Sequence, residues 1–303
     1  MPLHNQWEHA VCPICKTPCS HNSAQALYTF GPSDIDAFQG SHNRQHPAHL
    51  RIVQCAGCGL HCLTPRPREE FMQKIYETPA YFEGGMAGGY DDYMGQGRTL
   101  EVTFRWFLRK LKQKGLTGGT LLDVGCGPGL FLKEARTHFE YTVGSDLCQE
   151  MAAKASQHCD LAVTGGPLSA KEQGPFDLIT AIGVLEHVYD AVAFISECAS
   201  LLGPCGHLVL VTPDIMGFWR KLMGRKWPSF KLPEHIAYYS HTTLKELACR
   251  ASMTVQEFFP YHQAFPLNLV LKRLKITLNM AEKTKRIMVP IPHVMTTAVL
   301  YKI

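Results

Sequence analysis

The sequence predicts an α/β protein with a doubly wound, mostly parallel sheet and a small cysteine-rich module before it. Two observations support this fold class. After Gly115, short apolar stretches alternate with helical ones, and six of the twelve cysteines lie before residue 63. With 303 residues and 46% hydrophobic side chains, the chain can bury one large core and a smaller one.

Seven stretches after Gly115 have the length and composition of strands. In chain order they read TLLDV, YTVGSD, LAVTG, FDLITAI, HLVLVT, TVQEFF and TTAVLYK. Helical stretches such as LFLKEARTHF and AVAFISECASLL separate the first five, which predicts parallel strands with helices on both faces. The last two strands close the chain and are separated by an amphipathic basic stretch.

Changes in composition set the predicted domain boundaries. Residues 1–65 are rich in Cys, His and Pro and form the cysteine module. Residues 66–115 have helical periodicity on both sides of YFEGGMAGGYDDYMGQG, and we expect a helical lid or linker there. Residues 116–303 form the main domain. Within it, residues 213–241 are an insertion expected to overhang the acceptor site.

The first predicted strand runs into a glycine-rich turn of the form D-x-G-x-G-x-G, which begins at Asp123. Its glycines are Gly125, Gly127 and Gly129. Glycines bring bare backbone close to a ligand at the carboxyl ends of the strands. A dinucleotide site would have glycine at Leu130, so this turn fits a nucleoside without a pyrophosphate. Asp146 ends the second strand, where a carboxylate can bind ribose hydroxyls. The pattern favours S-adenosylmethionine.

These stretches resemble the class I S-adenosylmethionine-dependent methyltransferases. The resemblance is carried by LLDVGCGPG, VGSD, FDLITAIGVLEHV and LLGPCGHLVLVTP, in that order, and covers roughly residues 116–303. It implies a seven-stranded Rossmann-like sheet. It also implies that Asp146 binds the ribose and that four residues surround the methionine part of the cofactor. Those four are Asp123, Gly125, Gly127 and Gly129.

Two Cys-x-x-Cys pairs predict a zinc site in the N-terminal module. The pairs are CPIC and CAGC, and the predicted ligands are Cys12, Cys15, Cys55 and Cys58. Four thiolates make a closed tetrahedral site, so a zinc ion there is structural. Cys19, His61 and Cys62 are close enough in sequence to replace one ligand.

The stretches VQCAGCGLHCLTPRP and IYETPAY resemble a narrower group, the methyltransferases with an N-terminal zinc ribbon. Many of that group act on sugars or other metabolites in surface-glycan and natural-product pathways. The resemblance implies that the aromatic segment after the ribbon folds over the active site. The candidate lid residues are Tyr76, Tyr81, Tyr90 and Tyr93.

Methyl transfer to oxygen or carbon needs a base that removes the acceptor's proton, and histidine is the commonest one. His187 follows the fourth strand, at the rim where cofactor and acceptor meet. His235 lies in the insertion. Its surroundings resemble the E-H-x-x-Y-x-S motif of sugar C-methyltransferases, in which Glu234, His235, Tyr238 and Ser240 match in order. The predicted catalytic residues are therefore His187, His235, Glu234 and Tyr238.

A catalytic magnesium ion is not expected. Some methyltransferases of the ubiquinone pathway hold a divalent metal through E-x-x-E-H, but this chain has Gly183 at the first position of that motif.

The charge distribution suggests an anionic partner. The net charge is only +4, but residues 216–232 carry five basic side chains and no carboxylate, and residues 268–289 are also basic. The chain shows neither a signal peptide nor a spanning stretch. We therefore expect a cytoplasmic protein. Its basic segments are either solvated faces or contacts to a phosphate, a lipid headgroup or a nucleic acid, and peripheral membrane contact is one of these alternatives.

Three functions remain open from the sequence. The first is methylation of a small-molecule, sugar or lipid-linked acceptor. The second is methylation of RNA, which the near balance of charge in residues 1–62 disfavours because phosphate binding needs a basic module. The third is a non-catalytic cofactor-binding protein.

Overall fold

The computed structural model describes residues 6–19, 26–34, 47–79, 97–267 and 287–302. The strands are β1 Trp7–Glu8, β2 Ala26–Phe30, β3 Leu50–Gln54, β4 His61–Thr64, β5 Arg66–Pro67, β6 Thr120–Val124, β7 Tyr141–Asp146, β8 Leu161–Thr164, β9 Phe176–Ile182, β10 Leu202–Thr212, β11 Ala237–Tyr238, β12 Met253–Pro266 and β13 Met288–Lys302. The helices are α1 Glu69–Tyr76, α2 Gly97–Gln113, α3 Leu130–Ala135, α4 Gln149–Ala155, α5 Ala191–Leu201, α6 Phe218–Met223 and α7 His241–Arg250. Three 3₁₀ helices cover Pro167–Gln173, Leu185–His187 and Gly224–Lys226.

The main sheet has seven strands in the order β12-β13-β10-β9-β6-β7-β8. The five strands from β10 to β8 are parallel, and β13 pairs antiparallel with both β10 and β12. All seven predicted strands are present, so the predicted fold class is confirmed. The last two are much longer than predicted because they pair with each other from Met253↔Lys302 to Pro266↔Met288, well beyond the main sheet.

Alternate side chains of the central strands pack into two separate cores. Leu121, Leu178 and Val209 face the core that contains helices α2, α3 and α4. Their neighbours Leu122 and Ile179 face the core that contains α5 and α7. This period of two places helices on both faces of the sheet.

Helix α2 covers one face of the sheet through a single apolar stripe. Its buried side chains include Leu100, Phe104, Phe107, Leu108 and Leu111, which recur at three- and four-residue intervals. Phe104 and Phe107 both contact Phe131 of α3, with ring centroids 5.4 Å and 6.0 Å apart. The apolar residues whose spacing predicted a helix here are therefore the ones that pack it against the sheet.

The cysteine module and the insertion share one sheet. Strands β2, β3 and β4 form an antiparallel sheet, and β11 of the insertion adds to its edge through β4. The N–H of Leu63 also donates to the carbonyl of Ile236 at 2.9 Å. Beneath this sheet, Ile52 packs in one cluster with Phe230 and Tyr238. Residues on both sides of the predicted boundary at 65 thus build a common core.

Cysteines outside the module differ in their surroundings. Four of them, Cys126, Cys148, Cys159 and Cys198, are buried as small apolar side chains. Cys205 and Cys249, in contrast, are exposed.

Within the described part of the chain, no helix combines the length and apolarity needed to cross a bilayer.

Candidate active site

A cavity of about 300 Å³ opens at the carboxyl ends of the parallel strands. One wall comes from the turns after β6, β7, β8 and β9, which contribute Gly125, Gly127, Asp146, Gly166 and Gly183. The opposite wall comes from α1 and α2 and from the hairpin of β12 and β13. This volume is at the lower end of the range typical of small-molecule sites.

The glycine-rich turn presents its backbone to this cavity. Gly125 and Gly127 line it with positive φ angles of 69° and 52°, a region that side chains with a Cβ rarely adopt. The N–H groups of Gly125 and Cys126 both donate to the carbonyl of Ser145 in the neighbouring strand, at 2.8 and 3.0 Å. A Cβ on Gly125 would lie 2.6 Å from Cγ2 of Val184. The turn can hold its shape only with glycine there.

Asp146 is oriented into the cavity by two backbone donors. Its Oδ2 accepts from the N–H of Gly127 at 2.8 Å, and its Oδ1 accepts from the N–H of Cys148 at 2.9 Å. Burial raises the pKa of this carboxyl, whereas the two backbone hydrogen bonds lower it. Each carboxylate oxygen has further acceptor capacity for ligand hydroxyls.

Two residues predicted to surround the methionine part of the cofactor lie beneath the cavity and are not among the described residues that line it. Asp123 is buried and accepts from the hydroxyl of Thr180 at 2.7 Å, and burial raises the pKa of its carboxyl to about 7. Gly129 adjoins helix α4, where an added Cβ would lie 2.9 Å from Cα of Ala155. Asp123 thus braces the strand, and Gly129 allows close packing of the helix; that both also surround the methionine part of the cofactor stays a prediction.

His187 lies on the cavity wall, in the 3₁₀ helix after β9. Its Nδ1 is 3.1 Å from the carbonyl oxygen of Glu234 and 3.0 Å from the hydroxyl of Tyr76. A carbonyl oxygen only accepts, whereas the Tyr76 hydroxyl can donate or accept; in the tautomer with Nδ1 protonated, Nδ1 donates to Glu234 and Nε2 is the basic nitrogen. Burial lowers the pKa of His187 to about 3, which keeps the ring neutral.

The other predicted catalytic side chains lie behind His187, away from the cavity wall. The rings of His235 and His187 meet edge to face, with centroids 4.7 Å apart. His235 is buried, and its Nδ1 donates to the carbonyl of Ser229 at 2.8 Å. Glu234 reaches the site through its backbone carbonyl, since its side chain is buried outside the cavity lining.

Tyr238 and Ser240 of the same motif make packing and helix-capping contacts. Tyr238 is buried, and its ring packs edge to face on Phe230 with centroids 5.4 Å apart. The Ser240 side chain caps helix α7 by accepting from the N–H of Thr243 at 3.3 Å. Among the described residues that line the cavity, none belongs to the E-H-x-x-Y-x-S motif, and the predicted catalytic roles of Glu234, His235 and Tyr238 stay predictions.

Glu186 is a buried carboxyl next to this pair of histidines that the sequence reasoning did not single out. It accepts from the hydroxyl of Thr212 at 3.0 Å and lies 3.9 Å from Nε2 of His235. Burial raises its pKa to about 7. Donor atoms of Glu186, His187 and His235 all lie within 4.8 Å of one another. The absence of a catalytic magnesium ion stays a prediction.

The helical segment supplies the wall of the cavity opposite the glycine-rich turn. Tyr76 of α1 lies there with Met72, and α2 adds Leu100 and Phe104. Sequence reasoning missed five further residues of this wall: Glu69, Gln73, Tyr261, Gln263 and Met295. Spacing along α1 could have indicated the first two, because residues 69, 72, 73 and 76 share one helical face. The lid candidates Tyr81, Tyr90 and Tyr93 fall outside the described residues.

The four predicted zinc ligands come together at the start of the chain. Sγ of Cys12 lies 3.5 Å from Sγ of Cys58, Sγ of Cys15 lies 3.4 Å from Sγ of Cys55, and all four Sγ atoms are within 4.8 Å of one another. Around a tetrahedral zinc ion with Zn–S bonds of about 2.3 Å, sulfur atoms are roughly 3.8 Å apart. The spacing fits such an ion.

The two cysteine knuckles have the same backbone geometry. The backbone carbonyl of Cys12 accepts from the N–H of Lys16 at 3.0 Å, and the backbone carbonyl of Cys55 accepts from the N–H of Gly59 at 2.9 Å. Lys16 and Gly59 each follow the second cysteine of their pair with a positive φ, 60° and 78°. Cys19, His61 and Cys62, the alternative ligands, do not belong to this four-sulfur cluster among the described residues.

Comparisons with known proteins agree with this geometry. Residues 98–257 match a family model described as a methyltransferase domain. The ubiquinone biosynthesis O-methyltransferase of Rhodopseudomonas palustris strain TIE-1 is 34% identical over 139 residues, which are 44% of this chain and 51% of that protein. A protein of the same description from Xanthomonas campestris pv. campestris strain B100 is 42% identical over 135 residues, 41% of this chain and 56% of that protein. The chain spans about half the length of these curated relatives.

A solved structure shares the fold. A SAM-dependent methyltransferase from Thermotoga maritima superposes with a TM-score of 0.50 and 15% sequence identity, over 71% of this chain and 94% of the other.

Proposed function

The chain belongs to the family defined by that methyltransferase domain, and on this premise we propose that it transfers a methyl group from S-adenosylmethionine to a small-molecule acceptor. One observation carries the proposal. The glycine-rich turn, the oriented carboxylate of Asp146 and the neutral His187 all border the same cavity. The groups that would bind the methyl donor and a candidate base therefore border the cavity in which donor and acceptor would meet.

The residues present fit the methyl donor. Gly125 and Gly127 offer bare backbone, and Asp146 offers two fixed carboxylate oxygens to the ribose hydroxyls. After β8, Gly165, Gly166 and Pro167 line the cavity and can contact the adenine through backbone and apolar atoms. When bound, the donor supplies a methyl group already activated by a sulfonium, so the protein mainly has to align the acceptor.

We assign His187 as the residue that takes the acceptor's proton. It borders the cavity, and with Nδ1 protonated toward Glu234 its Nε2 can accept. The low pKa keeps the base neutral throughout the physiological range. His235 and Glu186 then act indirectly, because they pack behind the ring and hold it in place.

The acceptor wall favours a small, partly apolar molecule over RNA. Met72, Leu100, Phe104 and Tyr261 supply apolar surface there, and Tyr76 contributes a hydroxyl. An RNA acceptor would favour cationic side chains for its phosphates. The relatives are named as O-methyltransferases, which favours a hydroxyl acceptor, carried on a sugar, an aromatic ring or a lipid-linked intermediate.

We also propose a structural zinc ion bound by Cys12, Cys15, Cys55 and Cys58. The near-tetrahedral spacing of the four sulfur atoms and the two matching knuckles support it. The second knuckle lies between β3 and β4, and β4 pairs with β11 of the insertion. This ion would therefore also brace the insertion behind His187. It has no open position for catalysis.

Isotope labelling would test the function. The protein is incubated with a deuterated methyl donor and either a metabolite and lipid extract or total RNA, and mass spectrometry locates the label. We expect calorimetric binding of S-adenosylmethionine and label in a small molecule or lipid. Label in RNA alone would overturn the acceptor assignment. Absence of donor binding would leave a non-catalytic protein.

A further inference from the structure

One short helix of the insertion exposes large apolar side chains. Met216, Phe218, Leu222 and Met223, in α6 and the turn before it, are 49%, 61%, 64% and 37% exposed. Phe218 and Leu222 are four residues apart and share one face of the helix. No side chain of α6 is buried. Apolar side chains concentrated in this way mark an interaction surface.

Specific contacts hold this helix in place from the opposite side. Nε1 of Trp219 donates to the carbonyl of Pro292 in β13 at 2.6 Å. Nε of Arg220 donates to the carbonyl of Ile215 at 2.5 Å. The following turn is anchored by Trp227, which is buried against Phe230 with ring centroids 5.1 Å apart. The apolar face is therefore presented outward by a fixed scaffold.

Most of the charges around this face are positive, although Asp214 accepts from the N–H of Met216 at 2.9 Å. Lys221 and Lys226 are exposed and have no ion-pair partner among the described residues. Arg225, in contrast, pairs with Asp34 at 2.7 Å. No carboxylate occurs between Met216 and Leu232. An apolar protrusion flanked by cations complements an anionic lipid surface.

We propose that this face docks the protein on an anionic bilayer. The docking face consists of Met216, Phe218, Lys221, Leu222, Met223 and Lys226. Its apolar side chains enter the boundary between headgroups and acyl chains, and its lysines contact lipid phosphates. The exposed parts of the four apolar side chains together have an area of about 400 Å². The exposed lysines beside this apolar area favour an anionic lipid surface as the partner.

Docking would also bring the cavity close to the membrane. Trp219 is fastened to Pro292, and Met295, three residues further along β13, lines the cavity. A lipid-linked acceptor could then be taken up from the bilayer surface. This consequence rests on the proposed function, whereas the docking itself does not.

Vesicle sedimentation tests the docking face. The full-length protein is mixed with large vesicles of phosphatidylcholine, with or without about one third phosphatidylglycerol, a typical anionic lipid. We expect binding only to the anionic vesicles, weakened by high salt. The double variant F218S/L222S should bind at least about tenfold more weakly. The double variant K221Q/K226Q should lose roughly fivefold for each lysine.

Matched controls use exposed residues near the amino ends of the parallel strands. K112Q/K171Q removes the same charge, and Y301S removes an apolar side chain that is 40% exposed. Both should bind anionic vesicles as wild type does. All variants should keep the wild-type circular dichroism and S-adenosylmethionine affinity, since the changed side chains lie outside the cavity lining.

Three outcomes would overturn the proposal. One is no binding to anionic vesicles, and another is wild-type binding by F218S/L222S. The third is self-association that F218S/L222S abolishes while vesicle binding is absent, which would make the face a contact between copies of the chain. If the wild-type protein does not bind S-adenosylmethionine, the proposed function is refuted, and the docking result stands.

Discussion

The N–H of Gly127 donates a 2.8 Å hydrogen bond to Oδ2 of Asp146, which ties the glycine-rich turn to the end of the neighbouring strand. The other carboxylate oxygen is held by the N–H of Cys148. Two backbone donors thus orient the carboxylate before any ligand arrives. Hydrogen bonds to an ionised acceptor are among the stronger ones in proteins.

Replacing this carboxylate should weaken donor binding. In Asp146→Asn, one of the two backbone donors would face an amide NH₂ group, and the turn at Gly127 would loosen. We expect S-adenosylmethionine affinity to fall about 10- to 100-fold and the free energy of unfolding to fall by about 1–3 kcal/mol. Isothermal titration calorimetry and urea denaturation measure the two effects.

Asp160→Asn is the matched control. Asp160 also accepts from a backbone N–H, that of Thr142, at 2.8 Å, but it lies before β8 at the opposite end of the sheet. This variant should lose stability and keep its donor affinity. Equal losses of affinity in both variants would show that the effect at Asp146 is only general destabilisation.

Gly125→Ala should close the donor site. The added Cβ would lie 2.6 Å from Val184, which lines the cavity, and alanine at a φ of 69° costs about 1–2 kcal/mol. We expect donor affinity to fall at least about tenfold as Val184 is displaced. Gly115→Ala provides the comparison, because Gly115 has a φ of 71° with nothing within 4 Å of the added atom. Unchanged affinity in Gly125→Ala would contradict the site.

Substitutions of His187 and of His235 should affect different properties of the protein. We expect His187→Ala to lower the rate of label transfer by about 10²- to 10⁴-fold, with donor affinity nearly unchanged, because a general base is lost. His235→Asn should mainly lower stability, since this buried ring supports His187. Rates come from mass spectrometry of the labelled product. A larger loss of rate in His235→Asn would transfer the base assignment to His235.

The four-cysteine cluster should contain one zinc ion per chain. Cys15→Ser and Cys58→Ser remove a ligand, so both should lose most of the metal and unfold more easily, as closed zinc sites contribute to folding. Elemental mass spectrometry measures the content. Cys205→Ser, at an exposed cysteine outside the cluster, should keep the full amount. Wild-type zinc content in Cys15→Ser would rule out the predicted ligand set.

Glu186 should make stability depend on pH. Burial raises its pKa to about 7 in the folded chain, above the ordinary value of 4.5. The folded state therefore keeps a proton that the unfolded chain releases, and stability falls as pH rises from about 4.5 to 7.

Glu186→Gln removes this titration. Relative to wild type, the variant should gain about 1–3 kcal/mol of unfolding free energy between pH 4.5 and pH 8, as measured by urea denaturation. The comparison between the two pH values cancels any constant effect of the amide. A difference between variant and wild type that does not change with pH would show that Glu186 has an ordinary pKa.

Local patterns in the sequence were sufficient for the strands, the glycine-rich turn and the cysteine pairs. Strands β6, β7 and β9 are largely buried on both faces and read as short apolar runs. The turn at Gly125 and Gly127 needs positive φ angles that glycine supplies. Each Cys-x-x-Cys pair closes its own knuckle through contacts within five residues. All of these features depend on neighbours in the chain.

Long-range contacts decided the rest. Sequence position left both His187 and His235 as candidates, and only packing places His187 on the cavity wall with His235 behind it. Asp123 and Gly129 belong to the same turn as Gly125, yet their side chain and Cβ position meet Thr180 and Ala155. Periodicity within one segment carries no information about which segment covers it.

The sequence alone thus determined the fold, the glycine-rich turn and the pairing of cysteines, because each follows from local backbone geometry and hydrophobic period. Tertiary structure decided which side chains reach the cavity, how β11 joins the cysteine module, and that α6 turns its apolar face outward. Those features depend on contacts between residues far apart in the chain, such as Leu63 with Ile236 and Trp219 with Pro292, and no local pattern specifies them.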